Sequence, residues 1–357
     1  MSDLLAFTAE LVDIPSVSHG EGALADRIER DLRACTHLRV ERTGDTVVAR
    51  TALGRPQRLL LGGHLDTVPP FDGGGHRIEG DTLWGLGAVD MKGGVAVLMD
   101  LARHVPEPRV DLTFVLYACE EVERHYNALG HLARTAPALV AADAAVLCEP
   151  TGGVVEAGCQ GTMRAVATIR GRRAHSARPW AGVNAIHRAA ALLDTLARYE
   201  SRSVVLQGCT YLEQLQAVGV EGGVAGNVVP DEASVTINYR FAPDRDLPGA
   251  EAALRALVSA GVDPEAGDDL RVMDAAPAAP PALDHPLLGT LVAASGAPAR
   301  AKLGWTDVAT CWEAGIPAAN FGPGDPLLAH TPDERVTRAE LDQARTVLGA
   351  LVGESQA

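Results

Sequence analysis

"LLLGGHLDTVPP", residues 59–70, carries an apolar run straight into a histidine and then an aspartate. Three leucines followed by two glycines suit a strand buried on both faces, as in a parallel sheet covered by helices. The run ends on His64, with Asp66 two positions further along. In open α/β sheets the ligand site lies beyond the carboxyl ends of the strands, so polar residues at such an end carry information about chemistry.

Working outward, other short apolar runs stand at 45–51, 58–62, 111–118, 144–148 and 316–321, with helical patterns between several of them. Residues 4–12 and 21–34 have helical spacing, the second with Leu24, Ile28 and Leu32 on one stripe. The alternation predicts an α/β fold, a mostly parallel sheet flanked by helices.

The middle of the chain reads differently. Strands are expected at 162–171, near 212–220, near 232–241 and near 270–274, with helices at about 183–198 and 249–259. This β-α-β-β-α-β order is the split βαβ, or ferredoxin-like, arrangement. After the Ala/Pro-rich stretch "DAAPAAPPALDHP" (274–286) the helix–strand alternation resumes. The expectation is therefore a discontinuous larger domain, 1–161 and 277–357, around an inserted α+β domain at 162–276.

The 357 residues, 47% of them hydrophobic, suffice for two cores. A formal net charge of −15 argues against nucleic acid as a partner. No run of 18 uncharged apolar residues occurs, and the first residues lack a basic segment followed by an apolar one, so no membrane association and a cytoplasmic location are expected. The cysteines at 35, 119, 148, 159, 209 and 311 form no CxxC pair, which favours reduced, mostly buried thiols.

Four strand ends look alike. His64 and Asp66 end the first; Glu120 and Glu121 end "VDLTFVLYACEE"; Glu149 ends "AAVLCEP"; "IPAANFGPGDPLLAHTPDE" leads to His330. Asp90, in "GAVDMKGG", stands before a helix striped by Val95, Leu98, Met99 and Ala102. Each has a plainer reading taken alone: Asp90 as a helix cap, a histidine as a hydrogen-bonded structural residue, the glutamate pair as a solvated loop. Together they would repel one another at a single sheet edge unless cations held them.

Oxygen and nitrogen donors without thiolate suit zinc. Two sites are complete if the aspartate bridges: His64, Asp90 and Glu149 on one ion, Glu121, Asp90 and His330 on the other. Two divalent ions then balance three carboxylates and a bridging hydroxide. Glu120 is left over, and because neighbouring side chains of an extended segment point apart, one ligand and one base is the natural division of the pair. Asp66, on the same side of the strand as His64, is placed to accept the proton of the ring nitrogen that does not bind metal.

These residues resemble the dinuclear zinc peptidase and deacylase family, with "GGHLDTVP", "GAVDMKGG", the "EE" pair, "EP" and "AHTPDE" in the family's order over nearly the whole chain. Within it, "CEEVERHYNALG", "CEPTGGVVEAGCQGTMR" and "RAHSARPWAGVNAIH" look most like a desuccinylase branch. The resemblance implies hydrolysis of N-succinyl-LL-2,6-diaminopimelate to succinate and LL-2,6-diaminopimelate in lysine and diaminopimelate biosynthesis. It also implies two zinc ions per subunit, replaceable by cobalt, with Glu120 as general base. The inserted domain becomes a lid and dimerisation domain of a homodimer. His175 in "RAHSARP" matches a histidine that reaches the partner subunit's site and stabilises the oxyanion. Asn227, Arg240 and Thr306 match substrate-binding positions, Arg240 for the succinyl carboxylate. Leu86 and Val122 depart from an arginine and a glycine common in relatives. The alternative within the family is another N-acyl-amino-acid deacylase or a metallo-carboxypeptidase. A metal-binding scaffold without turnover would leave Glu120 without a purpose.

Overall fold

The computed structural model describes residues 3–71 and 74–353. The chain divides into two compact units, one running to Gly158 and resuming at Pro281–Ala301 and from Thr306, the other comprising Cys159–Pro280 with Lys302–Trp305. The second unit extends slightly beyond 162–276 at each end and takes in a short return at 302–305.

The first unit holds an eight-stranded sheet. From edge to edge it runs Arg39–Thr43, Thr46–Arg50, Asp111–Tyr117, Arg58–His64, Ala144–Leu147, Ala318–Asn320, Glu156–Ala157 and Arg300–Ala301. The middle four, Asp111–Tyr117 through Ala318–Asn320, are parallel, and antiparallel pairing brings in the strands on either side of them. Every residue of Asp111–Tyr117 and Ala144–Leu147 is buried, which is what continuous apolar runs require when both faces are covered.

One face packs Leu59, Leu61, Phe114 and Val146 against helices Leu4–Val12, Gly22–Arg33, Gly93–His104, Pro286–Ser295 and Arg338–Val352. On the other, Leu60 meets Leu129, Val140 and Cys311 of the helices Ala128–Thr135, Pro137–Val140 and Val308–Glu313. Leu24, Ile28 and Leu32 form the buried stripe of Gly22–Arg33. Helix starts are fixed by side chains: Asp3 accepts the Ala6 N–H, Asn127 that of Gly130, and Thr337 with Glu340 closes a capping box. The glycines before His64 are there for close approach, since a Cβ on Gly62 would lie 2.7 Å from Leu147 and one on Gly63 2.8 Å from Met91. That proximity draws the turn carrying Asp90 onto the end of the His64 strand.

The second unit has a four-stranded antiparallel sheet in the order Gln214–Gly222, Glu232–Phe241, Gly161–Arg170, Asp269–Ala276. Met163, Ala165, Ala167 and Ile169 alternate inward against Leu192 and Leu196 of Ala185–Ala197 and Leu254 and Val258 of Leu247–Val258. The β-α-β-β-α-β order is therefore present, with one addition. A hairpin, Ser203–Leu206 with Cys209–Leu212, precedes the strand expected near 212–220, which runs Gln214–Gly222. Its two-residue turn, Gln207–Gly208, has both residues at positive φ, as a tight hairpin connection needs.

All six cysteines are free, five of them buried. No described helix is long and apolar enough to cross a membrane.

Candidate active site

His64 ends its strand almost wholly buried, with Nε2 3.1 Å from Asp90 Oδ1. Its Nδ1 lies 3.0 Å from the backbone carbonyl of Asp66 and 3.6 Å from the Asp66 carboxylate. Sequence alone had offered that nitrogen to the carboxylate; the shorter contact goes to the main chain two residues on. The Asp66 carboxylate, fully buried, instead accepts the N–H groups of Glu120 and Glu121, both at 3.0 Å, and the Ser18 hydroxyl at 2.8 Å. Burial alone would raise its pKa, but His64 and the two amides outweigh this and hold it below the usual carboxylate range.

Asp90 sits in the turn Ala88–Lys92 that follows the left-handed Gly87; Asp90 and Met91 are non-helical and interrupt it, and the following helix begins at Gly93 with Lys92 as its cap residue. Asp90 is thus not that helix's cap. The Asp90–Met91 peptide bond is cis. The N–H groups of Val89 and Asp90 donate to Glu334 Oε1 at 3.0 and 3.1 Å. Glu334 is buried, and that burial pushes its pKa up to about 7 against the lowering pull of these amides.

His330 faces Glu121, Nε2 to Oε1 at 2.8 Å, and lies 3.5 Å from the other Asp90 oxygen. Its hydrogen bond with Glu121 pushes its pKa up to about 9. Glu149 is buried two residues beyond the end of the strand Ala144–Leu147. Donor atoms of His64, Asp90 and Glu149 lie within 4.8 Å of one another, as do those of Asp90, Glu121 and His330, and those of His64, Glu120 and Glu121. Asp90 is common to the first two groups.

The residues fit a pair of metal ions. Four carboxylates converge beside two imidazoles in a largely buried place, and the donors are all oxygen or imidazole nitrogen. The strain shows on Glu120: burial pushes its pKa well up, His64 opposes, and the charges of Glu149, Asp307 and Glu121 push it further.

Sequence reasoning missed three buried carboxylates around this cluster. Glu334 was noted only as part of a motif. Asp307, fully buried, accepts Asn127 Nδ2–H at 2.7 Å and the Thr310 hydroxyl at 2.5 Å. It directly follows Thr306, itself buried, in the first unit. Glu21 accepts the Cys119 N–H at 3.0 Å. Apart from the Asp307–Thr310 bond, these contacts span 98 residues or more, so no local spacing announces them.

The remaining expected residues belong to the second unit. His175 and Asn227 come together on a two-stranded ribbon, Ala174–His175 against Val228–Val229, where Ser176 N–H donates to the Asn227 carbonyl at 2.9 Å. Both are exposed, and His175 Nδ1 accepts the Ala177 N–H at 3.1 Å. Arg240 is partly buried on the sheet strand Glu232–Phe241, its Nε donating to Asn238 Oδ1 at 3.1 Å, and burial lowers its pKa.

The sequence pattern of peptidase family M20/M25/M40 matches residues 60–354. The chain belongs to this family. A Mycobacterium tuberculosis protein bearing the name succinyl-diaminopimelate desuccinylase DapE is 50% identical over 352 residues, 98% of each chain. The succinyl-diaminopimelate desuccinylase of Corynebacterium glutamicum is 42% identical over 360 residues, 99% of this chain and 97% of that one. Among solved structures, the aminopeptidase PepT of Bacillus cereus superposes with a TM-score of 0.81 at 20% identity, covering 98% of this chain and 97% of that one. The M20 metallo-carboxypeptidase Sso-CP2 of Sulfolobus solfataricus gives 0.74 at 16%, with 99% of each chain covered. These two likenesses concern the fold.

Proposed function

We propose that the chain hydrolyses N-succinyl-LL-2,6-diaminopimelate to succinate and LL-2,6-diaminopimelate, a step of lysine and diaminopimelate biosynthesis, in the cytoplasm. The observation that carries this reading is the sharing of Asp90 between two three-residue donor groups with Glu120 left over beside them; the desuccinylase relatives supply the substrate.

His64, Asp90 and Glu149 would hold one zinc ion, and Glu121, Asp90 and His330 the other, with cobalt able to replace zinc. When bound, the ions polarise the amide carbonyl and make a water acidic enough to lose its proton near neutral pH. Glu120 takes that proton and returns it to the departing amine, which an amide needs because its nitrogen leaves poorly unprotonated. Asp66 holds the main chain of Glu120 and Glu121, and its carbonyl sets the orientation of the His64 ring. Arg240 pairs with the succinyl carboxylate through its planar guanidinium, and Asn227 and Thr306 bind the rest of the substrate. The active form is a homodimer joined through the inserted unit, a lid and dimerisation domain, in which His175 of the partner subunit donates to the developing oxyanion.

The test is turnover of N-succinyl-LL-2,6-diaminopimelate, N-acetyl amino acids and dipeptides by chelated protein given back zinc. The succinyl substrate is expected to lead in kcat/KM by at least roughly 100-fold, well inside the roughly 10⁴–10⁵ that a site built to hydrogen-bond a substrate group can give. Preference for an acetyl group or a dipeptide would replace this reading with a deacylase or a carboxypeptidase.

A further inference from the structure

Cys119, the residue before Glu120 and Glu121, has φ +60°, the left-handed region in which a side chain other than glycine is disfavoured. Such a conformation persists only where the surroundings impose it. Here they do. Glu21 Oε1 accepts the Cys119 N–H at 3.0 Å and lies 3.4 Å from the thiol, which in turn is 3.4 Å from His19 Nδ1. Glu21 is buried and stands at the start of the helix Gly22–Arg33, yet makes no capping bond to that helix. Its carboxylate serves the turn instead.

With Asp66 accepting the next two amides, three successive N–H groups, those of Cys119, Glu120 and Glu121, end on two buried carboxylates. The loop bearing Glu21 is itself fastened to the His64 strand's extension. Val17 bridges Thr67, Ser18 N–H donates to Thr67 O at 3.2 Å, and Thr67 N–H donates to Ser16 O at 2.9 Å.

We propose that Glu21 is a positioning residue for the reaction: by holding Cys119 in the left-handed conformation it sets the direction in which Glu120 and Glu121 leave the chain. The inference rests on the reading of Glu120 as base. An acceptor oxygen at the right reach is what the turn needs; the negative charge strengthens the bond but does not define the geometry.

Three variants separate these roles, each assayed for kcat and KM per subunit carrying two metal ions, with metal content and folding checked in parallel. Glu21→Ala loses the acceptor, and Glu21→Asp keeps the charge but draws the oxygen back by one methylene. Both are expected to lose roughly 100-fold in kcat with KM within about 3-fold, the cost of a small misplacement of a reacting group. Glu21→Gln keeps an oxygen at the same reach and is expected to recover kcat to within about 10-fold of the parent. If the alanine variant does not fold, the Asp and Gln pair decides. Activity retained by Asp and lost by Gln, wild-type kcat in the Ala or Asp variant, or a loss fully explained by missing metal would each overturn the proposal. Glu120→Gln is measured alongside: if it stays active the base reading fails, whereas if it is dead and Glu21→Asp is normal the positioning role alone fails.

Discussion

The two sheets are built on opposite principles. In the first unit the strands around His64 are buried end to end; in the second, Gly161–Arg170 and Glu232–Phe241 alternate, one residue inward and the next outward. Most site residues follow suit. His64, Asp66, Glu149, Asp307 and Glu334 are buried and His330 is exposed in the first unit, while His175 and Asn227 are exposed and Arg240 is partly buried in the second. Burial forces a polar side chain to declare a partner, because leaving it unmatched is costly. Exposure makes no such demand. Geometry therefore ties the first unit's buried residues to named partners, whereas the second unit's exposed residues are left open to solvent.

The comparison breaks most directly at the buried cluster. His64→Ala is expected to lose at least one metal ion and with it activity down to background, measured by metal analysis and turnover; a variant that binds two ions and works would remove His64 from the ligand set. Glu120→Gln, isosteric but unable to take a proton, should keep both ions and lose about 10²–10⁴-fold in kcat, the usual contribution of a positioned base. Metal loss matching that of His64→Ala would make Glu120 a ligand instead.

The exposed ribbon is tested next. His175→Ala is expected to cost roughly 10²–10³-fold in kcat as the loss of an oxyanion donor. Chains carrying His175→Ala mixed with chains carrying Glu120→Gln should form heterodimers that regain up to one working site. Heterodimers no more active than the single variants would return His175 to the surface. Asp66→Ala should lower activity or metal affinity by roughly 10–100-fold, the effect of removing an outer group that orients ligands; unchanged kinetics and zinc binding would reduce it to a turn residue. Smallest in catalytic effect but sharp for the fold, Leu98→Ala in the first core should cost about 2–5 kcal/mol in urea unfolding. A cost below about 1 kcal/mol would contradict its complete burial.

Much of the architecture could be read before any coordinates, and for one reason: periodicity is local. Leu24, Ile28 and Leu32 mark a helix by their spacing, and Met163 to Ile169 mark a half-buried strand by alternation. The short strands Thr82–Trp84 and Arg335–Thr337 escaped notice because three residues carry no period. Asp66 shows the limit within the site. Its position two residues after His64 suggested a partnership with the imidazole, whose Nδ1 lies 3.6 Å from its carboxylate, and nothing local announced that the same carboxylate also accepts amides 54 and 55 residues away.

What the sequence determined by itself was the inventory: which segments become strands and helices, and which strand ends carry carboxylate or imidazole. Only tertiary structure decided the pairings. That Glu334 receives the Asp90 amide from 244 residues away, and Glu21 the Cys119 amide from 98, depends on the order and parallel register of strands in the sheet. A side chain's type is written at one position, but its partner is fixed by the packing of the whole core, which no window of sequence contains.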